Sequence, residues 1–237
     1  MDERTRDSGP DLSLLGALIG EPARAKMLSA LMGGRALTAT ELSLEGDVAP
    51  STASAHLAKL AAARLVRVIR QGRHRYFQIA DDDVAGALET LAGLAAREDI
   101  APRRPTDPRL AAARVCYDHL AGTAGVWMTE RMRERNLIGG RDAFTLAPDG
   151  ERFFEAWGID VAALARSRRP LCRTCLDWSE RRFHLGGSLG AAILERLFAL
   201  RWARREPDSR AVAFSPSGER SFRALFGAEE HAARDRR

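Results

Sequence analysis

Lysine is nearly missing from this sequence of 237 residues: Lys26 and Lys59 are the only ones among 37 basic side chains. The remainder are arginine, a bias that a GC-rich coding sequence produces as readily as a function does. The formal net charge of +5 therefore says little unless the charge is concentrated somewhere. Cysteine is scarce as well. Three thiols are too few for a disulfide framework, and an intracellular thiol is more often free, metal-bound or redox-active. No apolar run approaches the roughly 18 residues that a membrane-spanning helix needs. The opening MDERTRDSGP has no apolar core of a secretory signal, so a cytoplasmic protein with no membrane partner is expected. The overall composition excludes a wholly disordered or collagen-like chain, and the length allows one large domain or several small ones.

One absence is local. From Val48 to Ala80 there is no Asp or Glu, while Lys59, Arg64, Arg67, Arg70, Arg73 and Arg75 all fall there, with His56 and His74. Asp81-Asp82-Asp83 closes the stretch. Such an excess neutralises phosphates and releases counterions, and the bland alternative is a solvated basic face.

Local patterning supplies the scaffold. Leu12–Ile19 and Pro22–Met32 read as helices, with Glu21-Pro22 as a start signal and Gly33-Gly34 as a stop. Met27, Leu28 and Leu31 recur at helical spacing and are expected in the core. A short helix over Thr38–Ser43 precedes a turn over Gly46–Pro50. Ser51 is expected to N-cap a helix running to about Ala63, with Leu57 and Leu60 inward. Leu65–Arg70 and Tyr76–Ile79 alternate as strands joined by Gln71-Gly72-Arg73-His74-Arg75. Helix, turn, helix and basic hairpin make a winged helix-turn-helix.

The stretch EPARAKMLSALMGG, then TATELS, then STASAHLAKLAAARLVRVIRQGRHRYFQIADDDVAGAL resembles the ArsR/SmtB-type winged-helix repressors of bacteria. The most specific pieces are Ser54-Ala55-His56-Leu57 with Leu60, Leu65-Val66, and Gly72-Arg73 before Arg75-Tyr76. The resemblance covers about residues 11–96. It implies a homodimer on a palindromic double-stranded DNA operator, with Ser51, Thr52, Ser54, His56 and Lys59 facing the major groove. Arg73, His74 and Arg75 would reach flanking phosphates or the minor groove. Short hydroxyls and an imidazole suit base edges, and arginines position the protein on the backbone. The helices Leu12–Ile19 and Val84–Ala96 would supply the dimer interface, the latter through Val84, Leu88, Leu91 and Leu94. The family's usual metal sites are missing. Ser43 and Glu45 stand where a cysteine pair is common, and no His follows Asp81–Asp83 until His119.

Residues 99–109 read as a proline-rich linker, with Pro102, Pro105 and Pro108. Beyond it the chain repeats itself. HLAGTAGVWMTER from His119 aligns with HLGGSLGAAILER from His184 at an offset of 65. Pro148, Gly150, Glu151, Arg152 and Phe154 align with Pro216, Gly218, Glu219, Arg220 and Phe222 at an offset of 68, the surplus falling at Glu206-Pro207-Asp208-Ser209. RVCYD (Arg114–Asp118) matches RTCLD (Arg173–Asp177) upstream. Each copy reads as helix, helix, hairpin, helix, again a winged-helix order.

The expected fold is mainly α with short β-hairpin wings (α+β). A disordered segment spans residues 1–10 and a winged helix-turn-helix residues 11–98. Two degenerate winged-helix-like repeats follow at 110–160 and 161–228, then a charged tail at 229–237. The presumptive recognition helices of the two copies carry Gly122, Gly125, Gly187 and Gly190 with mainly apolar neighbours, so packing or ligand duty is expected of them rather than DNA reading.

All three cysteines lie in the repeats. Cys116 and His119 are three apart, as on one helical face. Cys172 and Cys175 form a Cys-x-x-Cys with His184 beyond. These five are the candidate ligands for zinc or another thiophilic metal or metalloid. Two other readings stay open: a reversible disulfide that reports oxidants, and small buried thiols with histidines used as helix caps.

An enzyme is not expected. There is no phosphate-binding glycine loop, Gly-x-Ser-x-Gly or dinucleotide fingerprint. Pro170-Leu171-Cys172 also lacks the directly preceding Pro and the His-x-Glu of a zinc deaminase. A sequence-specific transcriptional regulator, in the sense of a repressor with a sensing region, is the leading expectation. A non-specific nucleoid-type DNA-binding protein is the alternative, and a Cys-x-x-Cys redox enzyme comes last.

Overall fold

The computed structural model describes residues 12–95, 107–140, 143–207 and 209–227. The expected disordered start (residues 1–10), most of the linker, Asp208 and the charged tail lie outside the described residues. The chain divides into two compact units, Met1–Asp81 and Asp82–Arg237.

The first unit contains α1 (Leu12–Ile19), α2 (Pro22–Leu31), β1 (Leu37–Thr38), α3 (Ala39–Gly46), α4 (Pro50–Ala62), β2 (Val66–Gln71) and β3 (His74–Ile79). Glu21 caps α2 by accepting from Ala23 and Arg24 amides at 3.2 and 2.9 Å, and Pro22 takes the first turn, where its missing N–H is harmless. Thr38 and Glu41 form a reciprocal capping box that starts α3. Met27, Leu28, Leu31, Leu42, Leu57 and Leu60 are buried together, as their helical spacing requires. The sheet runs β1-β3-β2, all antiparallel.

Two local expectations shift. Helix α4 begins at Pro50 after Ala49, so Ser51 is inside the first turn and does not cap it. The wing strands also run further than expected, pairing Gln71 with His74 and leaving only Gly72-Arg73 as the loop.

The second unit starts with α5 (Asp82–Ala95), the helix expected to belong to the first domain. Asp107 then caps α6 (Pro108–Ala112), so the end of the expected linker is helical. There follow β4 (Arg114–Cys116), β5 (His119–Ala121), α7 (Gly122–Glu134), β6 (Ile138–Gly139), β7 (Thr145–Leu146) and α8 (Pro148–Ala156). The second copy comprises α9 (Val161–Ala165), β8 (Arg173–Leu176), β9 (Phe183–Gly186), α10 (Gly187–Ala199), β10 (Ala203–Arg205), β11 (Val212–Phe214) and α11 (Pro216–Phe226).

The repeat is structural. Helices α7 and α10 are both 13 residues long and start 65 residues apart. Each copy keeps long helix, hairpin, helix, but a further hairpin stands between the expected first helix (α6 or α9) and the long helix. Cys116 therefore faces His119 across the β4–β5 pair and is not on a helix with it. Gly122 and Gly187 make the turn into the long helices at φ +78 and +84, where a Cβ would lie 2.6–2.7 Å from backbone oxygens. Glycine meets both demands. One hydrophobic core takes Val115, Leu120, Met128 and Phe154 from the first copy and Leu185, Ile193, Leu197 and Phe222 from the second.

Candidate functional site

In the first unit, the inward face of α4 is spent on packing, because Ala53, Leu57 and Leu60 are buried. Its other face leaves Ser51, Thr52, Ser54, Ala55 and Lys59 exposed. Ser54 also donates to the Pro50 carbonyl at 2.9 Å. Arg73, His74 and Arg75 are exposed at the tip of the β2–β3 hairpin, and Arg64, Arg67 and Arg70 are exposed beside it. All six cations of the acid-free stretch thus reach solvent, and among the described residues none meets a carboxylate.

His56 behaves differently from its neighbours. Its side chain is only 14% exposed, and its Nδ1 accepts from Arg24 Nη1 at 2.9 Å while Nε2 lies 3.6 Å from Glu21. Arg24 is itself buried and donates to the Ala17 and Leu18 carbonyls at 2.7 and 2.6 Å. His56 therefore ties α4 to α2 and, through Arg24, to the end of α1. Its ring is thus engaged by a buried guanidinium, unlike the exposed side chains of Ser51, Thr52, Ser54 and Lys59.

A second constellation lies in the second unit. Cys116, His119, Cys175 and His184 are all buried, and their ligand atoms fall within 4.8 Å of one another. The β4–β5 hairpin contributes Cys116 opposite His119, and the β8–β9 hairpin contributes Cys175 opposite His184, so each repeat gives one Cys–His pair. The imidazoles stack with centroids 5.0 Å apart and Nε2 atoms 3.1 Å apart. Both thiols donate to one carboxylate on α5, Cys116 to Glu89 Oε1 and Cys175 to Oε2, each at 2.9 Å.

Aspartates stand behind both rings. His119 Nδ1 is 3.3 Å from Asp118, which Arg169 holds. His184 Nδ1 is 3.9 Å from Asp177, which accepts from Arg114 at 2.8 Å and from the Gly122 amide at 2.7 Å. Burial alone would lower His119, but Glu89 and Asp118 beside it raise its pKa to about 10. Burial lowers His184, against the pull of Cys116 and Asp177 in the other direction. Burial also pushes the Glu89 carboxyl up to about 8. The hydrogen bond with Cys175 draws the Cys116 thiol down, whereas Cys175 is raised by the same contact and by burial.

Cys172 is not in the cluster. It precedes β8, is partly exposed, and burial raises it to about 11. Cys175 lies inside β8 with its side chain buried, whereas Cys172 stands in the bend before the strand, so the Cys-x-x-Cys spacing does not bring these two thiols together. Glu89 escaped the sequence reading because nothing local marks one Glu on a helix as facing two cysteines far along the chain.

Residues 19–69 match the family described as Helix-turn-helix domain. The chain is 38% identical over 216 residues to YdfF, an uncharacterized HTH-type transcriptional regulator of Bacillus subtilis (strain 168). That alignment covers 90% of this chain and 96% of the relative, so it includes the repeats as well as the first unit. The chain belongs to the HTH-type transcriptional regulators.

Solved structures similar to this regulator match a smaller part of it. The homodimeric winged helix-turn-helix DNA-binding domain of a possible ArsR-family regulator from Mycobacterium bovis is 25% identical, covering 40% of this chain and 87% of that one, with a TM-score of 0.34. The antimony-specific repressor AntR is 24% identical, covering 42% and 94%, also with a TM-score of 0.34. No helix among the regulator's described residues is long and apolar enough to cross a membrane.

Proposed function

We propose that this regulator is a homodimeric repressor that reads a palindromic operator with α4 and grips the flanking backbone with its wing. The observation that carries the reading is the exposed, acid-free run of six cations over α4 and the β2–β3 hairpin. Unpaired cations at that density favour a polyanion, and each phosphate neutralised releases counterions. Ser51, Thr52 and Ser54 offer hydroxyls to base edges on the exposed face of α4, with Lys59 beside them. Arg73, His74 and Arg75 take phosphates or the minor groove. His56 supports the helix from within.

Dimerisation is supported by apolar surface left exposed among the described residues. Helix α1 buries none of its residues, and Leu12 and Leu14 are 76% and 65% exposed. Leu91 and Leu94 are exposed on α5. A second copy would bury both sets under two-fold symmetry, which one winged helix per half-site requires.

The second unit takes the role of signal receiver. Helices α7 and α10 bury their glycine-bearing starts against their own hairpins, an arrangement that suits packing and not groove insertion. The test is a footprint on DNA from upstream of the regulator's own gene, combined with the mass of the complex. Two chains on two symmetric half-sites about one helical turn apart support the reading. One chain on one half-site contradicts it.

A further inference from the structure

The geometry points to a zinc site built from Cys116 and His119 of one repeat and Cys175 and His184 of the other, with Glu89 on α5 as the group that zinc displaces. The regulatory half of this inference rests on the second unit being the signal receiver. The metal half does not.

The donor set selects the ion. Two thiolates and two imidazoles match the tetrahedral Cys2His2 site of Zn(II). As(III) prefers thiolates alone, and Cu(I) would use two thiolates and leave both imidazoles idle. A zinc tetrahedron with Zn–S near 2.3 Å and Zn–N near 2.0 Å has edges of roughly 3.3–3.8 Å. The four donor atoms already lie within 4.8 Å, so the widest separation has to close by about 1 Å.

The outer groups fit too. A ligating histidine usually gives its other N–H to a carboxylate, which fixes the ring and turns the free nitrogen to the metal. Asp118 does this for His119 at 3.3 Å. Asp177 stands 3.9 Å from His184 Nδ1, a fully buried nitrogen with no hydrogen-bond partner among the described residues. Both Nε2 atoms therefore point inward, where they now meet each other at 3.1 Å. A cavity of about 290 Å³ lined by Gly86, Glu89, Thr90, Arg173 and Cys175 gives the ion a way in.

Zinc binding replaces two S–H bonds with two Zn–S bonds. The thiol protons leave for solvent, with one more from whichever imidazole carries a second. No redox step is involved. Each ligated sulfur then has no hydrogen to give, and Glu89 loses both of its 2.9 Å bonds while facing two thiolates. The loss of these two bonds weakens the hold of the two hairpins on α5. Only Ala80 and Asp81 separate this helix from wing strand β3 along the chain, so a change in α5 is one the DNA-binding unit can feel.

The test loads the full chain with zinc alone and, separately, with Co(II) alone. One zinc per chain is expected, and cobalt should give thiolate charge-transfer bands with the intense visible bands of a tetrahedral site. Cys116→Ser and Cys175→Ser should each lose the metal, and Cys172→Ser should keep it. The wild-type stoichiometry and cobalt spectrum do not depend on either variant folding. Absence of metal, a Cys116–Cys175 disulfide in the native protein, or equal loss from Cys172→Ser would overturn the site.

Coupling is read as affinity for the regulator's own upstream DNA, zinc-loaded against chelator-stripped. A difference of roughly 5- to 150-fold is expected for the wild type. Glu89→Gln should still take up one zinc while that difference collapses toward one. If Glu89→Gln keeps the full difference, or wild-type affinity ignores zinc, the switch is overturned. Failure to bind that DNA in both states would instead count against the functional reading, because zinc is counted without DNA.

Discussion

The imidazoles of His119 and His184, 65 residues apart in the chain, meet through Nε2 atoms 3.1 Å apart. They occupy the same position in two copies of one repeat, each opposite a cysteine on its hairpin. The internal repeat thus does more than fill a core. It brings two Cys–His pairs face to face, which neither copy could do alone.

The surface of α4 and the wing should divide specificity from affinity. Replacing Ser51, Thr52 and Ser54 with alanine should reduce discrimination between the operator and other DNA, at about 1–3 kcal/mol for each lost base-edge contact. Arg73→Ala should weaken binding to every sequence alike and lower the salt slope by about 0.9. Titrations at several salt concentrations check both. Equal loss of discrimination from the two sets would count against the assignment.

His56 should act on folding. His56→Ala leaves the buried Arg24 without its 2.9 Å partner and should destabilise the first unit by about 1–3 kcal/mol. Denaturant unfolding measures the loss, and discrimination between DNA sequences should stay unchanged. A specificity change at full stability would return His56 to the groove.

Asp177 anchors the second unit. It joins Arg114, Ser179 and the Gly122 amide, and removing its charge strands a fully buried guanidinium. Asp177→Asn should cost about 3–5 kcal/mol. Burial would raise this carboxyl, but Arg114 and His184 hold it down at about 2, against an ordinary aspartate near 3.9. A depressed acid stabilises the fold above its unfolded pKa and loses that contribution as pH falls toward its folded one. The gap between wild type and Asp177→Asn should therefore be full above pH ~5 and shrink between pH ~4 and pH ~2. A gap that does not change over that range would contradict the charge argument.

Helix α1 should matter only to assembly. Leu12→Asp with Leu14→Asp touches side chains that are 76% and 65% exposed, so the unit should stay folded. Sedimentation should show monomers, with operator affinity falling along with the dimer. A dimer that survives both substitutions places the interface elsewhere.

Much of this was legible from sequence where one local rule decides the outcome. The Glu21-Pro22 start and the Gly33-Gly34 stop of α2 act within a few residues, and the acid-free run needs no structure to be seen. The cluster was harder. Cys116 and His119 are three apart, a spacing that suits a helical face and equally suits two strands joined by a two-residue turn. Cys172 and Cys175 look like a pair only until the start of β8 falls between them. Glu89 could not be found at all, because its meaning comes from two hairpins that arrive later in the chain.

Competition between the regulator's own upstream DNA and random DNA tests the central claim most directly. At physiological salt the account predicts that its own sequence wins by roughly a thousandfold or more. Equal competition by the two would contradict it and leave a protein that binds DNA by charge alone.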